Sequence, residues 1–165
     1  MKIGVLALQG DVAEHIASLG DCGVIASGVR SKQEIQSIDA LVIPGGESTT
    51  IAKLAKAFGV FGLIKSRIAS GMPTYGSCAG MILIADQILD GGVDQEGFGG
   101  IDAQVRRNAF GRQVDSFETD LSFAGISGAA FRAVFIRAPW VESVGTQVEV
   151  LASFNGHPVA IRTST

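Results

Sequence analysis

The chain has 165 residues, enough to bury one substantial hydrophobic core, and its mean hydropathy of +0.35 predicts a single domain over residues 1–165. Its net charge is −3 and no cluster of lysine or arginine stands out, which argues against nucleic acid or an anionic membrane as the main partner. No apolar run reaches the roughly 20 residues that span a bilayer, and the first residues lack an export signal. With only two cysteines, the protein is expected to be cytoplasmic and its thiols reduced.

Strand-like apolar runs alternate with helix-like segments through the first half of the chain. This order is typical of an α/β fold in which a mostly parallel sheet is covered by helices on both faces. Asp11 is expected to cap the first helix, with Glu14 three residues later completing a capping box. The predicted elements are the strands Ile3–Leu8, Val24–Ala26, Leu41–Ile43 and Pro73–Tyr75, and the helices Asp11–Leu19, Thr50–Phe58, Phe61–Ser70 and Ala79–Ile88.

Glycines interrupt this pattern from Gly91 onward, and the second half of the chain is expected to be more antiparallel. Asn155-Gly156 lies between two apolar runs, which is a strong signal of a β-hairpin. The predicted strands of this half are Ala103–Arg106, Phe131–Arg137, Gln147–Phe154 and Pro158–Arg162.

Cys78 lies in the sequence Gly76-Ser77-Cys78-Ala79-Gly80, which predicts a sharp turn between a strand and a helix. Small residues are needed on both sides, because bulky ones would collide with the helix or with a substrate. An α/β enzyme holds its nucleophile at such a turn, and the positive end of the helix is expected to lower the pKa of the thiol. Alternatively, Cys78 is a buried cysteine that only packs; Cys22, which has no such turn, is interpreted in that way.

A second glycine turn, Pro44-Gly45-Gly46-Glu47-Ser48-Thr49-Thr50, follows the third predicted strand. In a parallel sheet this turn should emerge at the same edge as the Cys78 turn, where ligands bind. Gly45 and Gly46 let backbone N–H groups approach a ligand closely, and Ser48 or Thr49 is expected to cap the next helix. Taken alone, a glycine turn before a capped helix more often serves only to connect a strand and a helix than to bind a ligand.

Five segments, in chain order, closely resemble the glutaminase subunits of pyridoxal 5′-phosphate synthases. Those subunits are class I, or triad, glutamine amidotransferases. The resemblance covers essentially the whole chain and implies a flavodoxin-like, three-layer fold with a mixed, mostly parallel sheet. The segments are Leu8-Gln9-Gly10, Pro44–Thr50, Tyr75–Gly80, Arg107–Glu118 and Val134–Pro139.

The resemblance also implies which residues carry the chemistry. Cys78 would attack the side-chain amide of glutamine to give a γ-glutamyl thioester and ammonia, and backbone N–H groups of Gly46 and Ala79 would stabilise the oxyanion. The ammonia would pass to a separate synthase subunit that makes pyridoxal 5′-phosphate, and no cofactor is implied. The positions that match the family's glutamine contacts are Gly46, Glu47, Ser48, Arg107, Ile136 and Arg137.

The charged residues of this region also have simpler interpretations. Arg107 suits an amino-acid carboxylate through a bidentate fork, but it could also be a solvated surface residue. Glu47 could be a first-turn acid that complements the helix dipole. Asp115, Glu118 and Asp120 are close in sequence but have no His or Cys at metal-ligand spacing, so no metal site is predicted.

The reaction also needs a general acid and base, because ammonia leaves poorly unless it is protonated. The family carries them in a His-Pro-Glu segment on a late strand, whereas this chain has two histidines. His15 lies on the first predicted helix, and His157-Pro158 is followed by Val159 and falls in the hairpin turn as an exposed residue. We therefore expect this chain to be C-terminally incomplete, without the family's last strand and helix and their catalytic His and Glu, and to be nearly inactive.

The sequence is also compatible with two other functions. The chain could be a non-catalytic partner that docks on the synthase subunit and binds glutamine without hydrolysing it. It could instead be a different cysteine enzyme of flavodoxin-like fold that uses His157 as its base.

Overall fold

The computed structural model describes residues 1–92, 95–111 and 113–163. Arg112, part of the Arg107–Glu118 segment, lies outside the described residues. The helices are α1 (Val12–Asp21), α2 (Lys32–Gln36), α3 (Ser48–Ala57), α4 (Phe61–Ala69) and α5 (Ala79–Ile84). The strands are β1 (Lys2–Leu6), β2 (Ile25–Val29), β3 (Ala40–Ile43), β4 (Thr74–Gly76), β5 (Ala85–Leu89), β6 (Ile101–Arg106), β7 (Phe117–Leu121), β8 (Phe131–Phe135), β9 (Trp140–Val144), β10 (Val148–Phe154) and β11 (His157–Thr163).

Four parallel strands form the central sheet, in the order β2-β1-β3-β4. All four residues of β3 are buried, as expected for a strand that is covered on both faces. Parallel pairing places Ile43, the last residue of β3, opposite Gly76, the last residue of β4. The loops that follow β1, β3 and β4 therefore meet at one edge of the sheet. The predicted mixed α/β fold with a mostly parallel central sheet is confirmed.

The main hydrophobic core packs the central sheet against α3, α4 and α5. Burying each large aliphatic side chain in such a core contributes about 1.5–3 kcal/mol. The segment that follows β5 closes the core, because Phe98 is buried and its ring lies 5.0 Å from that of Phe61. The fully buried members from the strands and helices include Leu6, Ile43, Ile51, Ile64 and Leu83.

The second half of the described chain has mostly antiparallel pairing, as the sequence predicts. β6 pairs in parallel with β5 and antiparallel with β9. β7 pairs with β8, and β10 with β11, both antiparallel. Four phenylalanine rings pack between these strands with centroid distances of 4.9–5.9 Å; they are Phe110, Phe117, Phe135 and Phe154.

The predicted β-hairpin is present between β10 and β11. Phe154 pairs with His157, so the turn consists of Asn155 and Gly156 alone. Their φ angles are 49° and 82°, the left-handed values that a two-residue turn of the right twist requires at both positions.

Several element boundaries differ from the sequence prediction. The apolar run predicted as one helix, Ala79–Ile88, is divided: α5 ends at Ile84 and β5 begins at the next residue. A continuous apolar run does not distinguish a buried helix from a buried strand, which explains the error. The strands β7 and β9 were absent from the prediction, because three of the five residues of β7 are polar and β9 directly follows Pro139.

The capping box lies at a different helix from the predicted one. Asp11 occupies the N-cap position of α1 but makes no side-chain cap hydrogen bond there. The box is found instead at α2, in a segment predicted as a polar turn, where Ser31 and Glu34 bond reciprocally to each other's backbone. Within the described residues, every helix is too short or too polar to cross a lipid bilayer.

Candidate active site

Cys78 occupies the sharp turn between β4 and α5 that the sequence predicts. Its φ of 50° is rare for a residue with a side chain, so the turn is strained and the surrounding structure holds it in place. The glycines on either side are needed for close packing. A β-carbon at Gly76 would overlap the backbone of Gly80, and one at Gly80 would overlap the carbonyl oxygen of Ile43 in β3.

The environment of the Cys78 thiol corrects one expectation. Burial raises the pKa of this thiol above its ordinary value, and the nearby Asp11 carboxylate raises it further. Hydrogen bonds to the sulfur from the backbone N–H groups of Ala79 and Gly46, together with the charge of Arg137, act in the opposite direction but do not prevail. The predicted lowering by the helix end fails because burial of the thiol is the largest of these effects on its pKa.

We expect the alkylation of Cys78 by iodoacetamide to require a higher pH than that of an ordinary thiol. Because the raised pKa leaves less thiolate at neutral pH, the half-maximal rate should fall at a higher pH than that of a short unstructured cysteine peptide measured in parallel. Asp11→Asn removes the repelling carboxylate and should move that midpoint to lower pH. Rates are measured by mass spectrometry in a Cys22→Ala background, with Glu14→Gln as the control. A midpoint at or below that of the cysteine peptide contradicts the assignment.

The loops after β1 and β3 lock together beside this thiol. The backbone N–H of Asp11 donates to the carbonyl of Gly45 at 3.3 Å, and the N–H of Glu47 donates to Oε1 of Gln9 at 2.7 Å. Gly46 has a φ of 154°, and a β-carbon there would lie 2.6 Å from the same Gln9 oxygen. The glycine turn is therefore held by Gln9, a residue of the Leu8-Gln9-Gly10 segment to which sequence reasoning assigned no role.

Glu47, rather than Ser48 or Thr49, is the N-cap of α3. Its carboxylate accepts from the backbone N–H groups of Thr49 and Thr50 and from the Thr50 hydroxyl. Burial acts to raise the pKa of Glu47, but these hydrogen bonds outweigh it and hold the pKa below its ordinary value. Ser48 is the first residue of the helix, and it is 1% exposed.

Arg107 is not a solvated surface residue. Its side chain is 18% exposed, and its Nη2 donates to Oε1 of Glu47 at 2.9 Å. Its Nη1 donates to Oε1 of Gln95, whose Nε2 donates to Oγ of Ser48 at 2.8 Å. The structure thus brings Glu47, Ser48 and Arg107 together around Gln95. Because Gln95 belongs to none of the five segments, only the three-dimensional structure reveals this contact.

Ile136 and Arg137 follow β8. Arg137 has a φ of 46° and is exposed, and its positive charge acts on the Cys78 thiol. Ile136 is 51% exposed. The structure therefore places Arg137 near the nucleophile, whereas the role of Ile136 stays a prediction.

The remaining cysteine and the two histidines lie in other surroundings. Cys22 is exposed at the end of α1, so its interpretation as a packing residue is wrong. His15 on α1 meets the edge of the Tyr75 ring at 6.2 Å. His157 is not an exposed turn residue: it begins β11, is half-buried, and stacks on Trp140 with ring centroids 3.7 Å apart.

A largely apolar groove of about 610 Å³ opens beside Cys78. Among the described residues, its lining includes neither histidine, and neither Glu47 nor Arg107. The residues that line this groove include Tyr75, Met81, Ile101, Val159 and Ile161.

The described residues contain no group of three or more His, Cys, Asp or Glu side chains placed to hold a metal.

Comparison with known proteins decides the family. Residues 5–164 match the model of the SNO glutamine amidotransferase family. The chain belongs to the SNO glutamine amidotransferase family. It is 61% identical over 160 residues to the pyridoxal 5′-phosphate synthase subunit PdxT of Mycobacteroides abscessus. The aligned region covers 97% of this chain and 82% of that relative. The corresponding subunit of Streptomyces avermitilis is 57% identical over 160 residues, 97% of this chain and 80% of the relative.

Solved structures of glutamine amidotransferases share this fold. A crystal structure of a glutamine amidotransferase superposes with a TM-score of 0.88 at 46% identity, over 98% of this chain and 84% of that one. A glutamine amidotransferase of Thermotoga maritima has a TM-score of 0.57 at 13% identity, over 96% of this chain and 69% of that one, and supports the fold alone. The recognition of a glutaminase of this type from the five segments is confirmed, while the roles of the individual site residues stay predictions.

Proposed function

We propose that this chain is the glutaminase subunit of a pyridoxal 5′-phosphate synthase. A subunit of this kind hydrolyses L-glutamine to L-glutamate and ammonia in the cytoplasm and passes the ammonia to a synthase subunit. This chain is expected to turn over slowly, because among the described residues neither histidine lines the groove beside Cys78. The observation that carries the proposal is the position of Cys78, on a strained turn with the N–H groups of Gly46 and Ala79 directed at its sulfur. The names of the relatives at about 60% identity supply the reaction in which the ammonia is used.

The proposed reaction has two halves at Cys78. The thiolate attacks the side-chain amide carbon of glutamine, so that a C–S bond forms; the amide nitrogen takes a proton from solvent water, the C–N bond breaks and ammonia leaves. Water then attacks the thioester carbon, giving glutamate and the free thiol. In each half the carbonyl oxygen becomes an oxyanion, and the N–H groups of Gly46 and Ala79 stabilise it. Loss of one such donor typically costs about 3–4 kcal/mol of transition-state stabilisation.

The substrate is held by Gly46, Glu47, Ser48, Arg107, Ile136 and Arg137. Arg107 binds the α-carboxylate, since its guanidinium is fixed by Glu47 and its planar fork matches a carboxylate. Sequence neighbours support placing the anchor beside the nucleophile: the backbone of Gly46 acts on the Cys78 thiol, and the next residue, Glu47, pairs with Arg107.

Glutamate release in the presence of a synthase subunit tests the proposed function directly. Glutamine should support formation of pyridoxal 5′-phosphate, and this chain should be dispensable when ammonium salt replaces glutamine. Equilibrium binding of glutamine by calorimetry is measured in parallel. Absence of both glutamine binding and glutamate release refutes the proposal.

Arg107→Lys is expected to weaken glutamine binding by about tenfold or more, because lysine offers a point charge instead of a bidentate fork. Arg106→Lys is the matched control, since Arg106 is the preceding residue and pairs with Asp90 and Glu142 on the surface. Calorimetry on a Cys78→Ala background measures binding without turnover. Equal affinities of the two lysine variants contradict the role of Arg107.

A second candidate function is a non-catalytic glutamine-binding partner of the synthase subunit. The observation in its favour is that, in the described part of the chain, neither histidine lines the groove beside Cys78. This candidate predicts glutamine or synthase binding without glutamate release, so the same two measurements separate it from the glutaminase. The placement of His157 against Trp140 gives no support to a third function in which His157 is the base.

A further inference from the structure

Gln95 lies on the segment that follows β5, outside every motif of the sequence, yet its side chain joins two of the proposed glutamine contacts. Its Nε2 donates to Oγ of Ser48 at 2.8 Å, and its Oε1 accepts from Nη1 of Arg107. The Thr49 hydroxyl donates to the same oxygen at 3.4 Å. We propose that Gln95 is a positioning residue that orients the Arg107 guanidinium toward the α-carboxylate of glutamine, an inference that rests on the proposed function.

The geometry around Arg107 carries this inference. Each terminal nitrogen of the guanidinium has a different partner, Glu47 on one side and Gln95 on the other. The two partners lie 60 and 12 residues away in the chain, so they fix the plane of the fork from two independent elements. A long side chain held in this way loses less conformational freedom when a ligand binds.

The chemistry of position 95 favours an amide. The Ser48 hydroxyl is buried and needs a donor or acceptor, while Arg107 needs an acceptor, and an amide supplies both without charge. A carboxylate at this position would keep the bond to Arg107 but lose the N–H that reaches Ser48. It would also place a second negative charge beside Glu47, where it would repel the carboxylate of the ligand.

Binding of two ligands tests the proposal on the full chain carrying Cys78→Ala, which prevents turnover. The ligands are L-glutamine and L-glutaminamide, in which an amide replaces the α-carboxylate. Gln95→Ala should weaken glutamine binding about tenfold and leave glutaminamide binding unchanged. Gln95→Glu should weaken glutamine binding further. Gln104→Ala is the control, because this amide bonds to Gln87 between β5 and β6 and should alter neither affinity.

Each result decides the question. Unchanged glutamine affinity in Gln95→Ala overturns the positioning role. An equal loss of affinity for glutamine and glutaminamide also overturns it, because a general structural defect weakens the binding of both ligands. If the parent chain binds neither ligand, the proposed function fails together with the inference, whereas a failure confined to Gln95 leaves the function intact. Should Gln95→Ala not fold by circular dichroism, Gln95→Met, which preserves side-chain length, is measured in its place.

Discussion

Cys78→Ala is expected to remove the label that a chloromethyl ketone analogue of glutamine places on residue 78 and to reduce glutamate release to the background rate. The label forms a C–S bond as chloride leaves, so it requires a nucleophilic sulfur beside a bound glutamine-like group. Cys78 meets this requirement, since it is held on a strained turn within reach of the N–H groups of Gly46 and Ala79. Intact-mass spectrometry counts the labels, and an amino-acid assay follows glutamate.

Cys22→Ala is the matched control for this experiment. Cys22 is exposed at the end of α1 and should react with small reagents, but it lies outside the proposed site. Glutamine should protect Cys78 from the chloromethyl ketone and leave the labelling of Cys22 unchanged. Persistent glutamate release in Cys78→Ala, or protection of Cys22 by glutamine, excludes Cys78 as the nucleophile.

Gly80→Ala is expected to destabilise the protein by about 3 kcal/mol. A β-carbon at Gly80 would overlap the carbonyl oxygen of Ile43, and both residues belong to buried elements that cannot move apart without opening the core. Urea denaturation measures the free energy of unfolding. Because the collision lies directly behind Cys78, any folded fraction of this variant should also lose the labelling described above.

Gly62→Ala is expected to raise the free energy of unfolding in the same urea assay, whereas Gly80→Ala lowers it. Gly62 lies in α4, and nothing lies within 4 Å of a β-carbon built there. Alanine should stabilise this helix by about 0.5–1 kcal/mol, because it loses less conformational entropy than glycine on folding. If both alanine variants change the free energy of unfolding alike, the backbone contact between α5 and β3 is not the cause.

Local rules of backbone geometry account for what the sequence predicted well. The turn at Cys78 needed small residues, and the structure shows the backbone contacts at Gly76 and Gly80 that exclude larger ones. The hairpin needed positive φ at two successive residues, and Asn155-Gly156 supplied them. The family was also recognisable from its five segments, one of which, Tyr75–Gly80, contains the Cys78 turn.

The errors have a common origin in contacts between distant residues. The pKa of Cys78 is raised by burial and by the Asp11 carboxylate from the loop after β1, neither of which is visible from its own turn. Asp11 itself was assigned to a helix cap, but no cap bond is made. Gln95 could not be found at all, because its partners Ser48 and Arg107 meet it only after the chain has folded.

The stacking of His157 on Trp140 gives the protein an internal optical reporter. Trp140 is the chain's single tryptophan, so its fluorescence comes from one known place, the contact between β9 and β11. Separation of these two strands exposes the indole to water and should change the emission. The signal needs no added dye, so the integrity of the antiparallel half can be followed in real time while Cys78 is being alkylated.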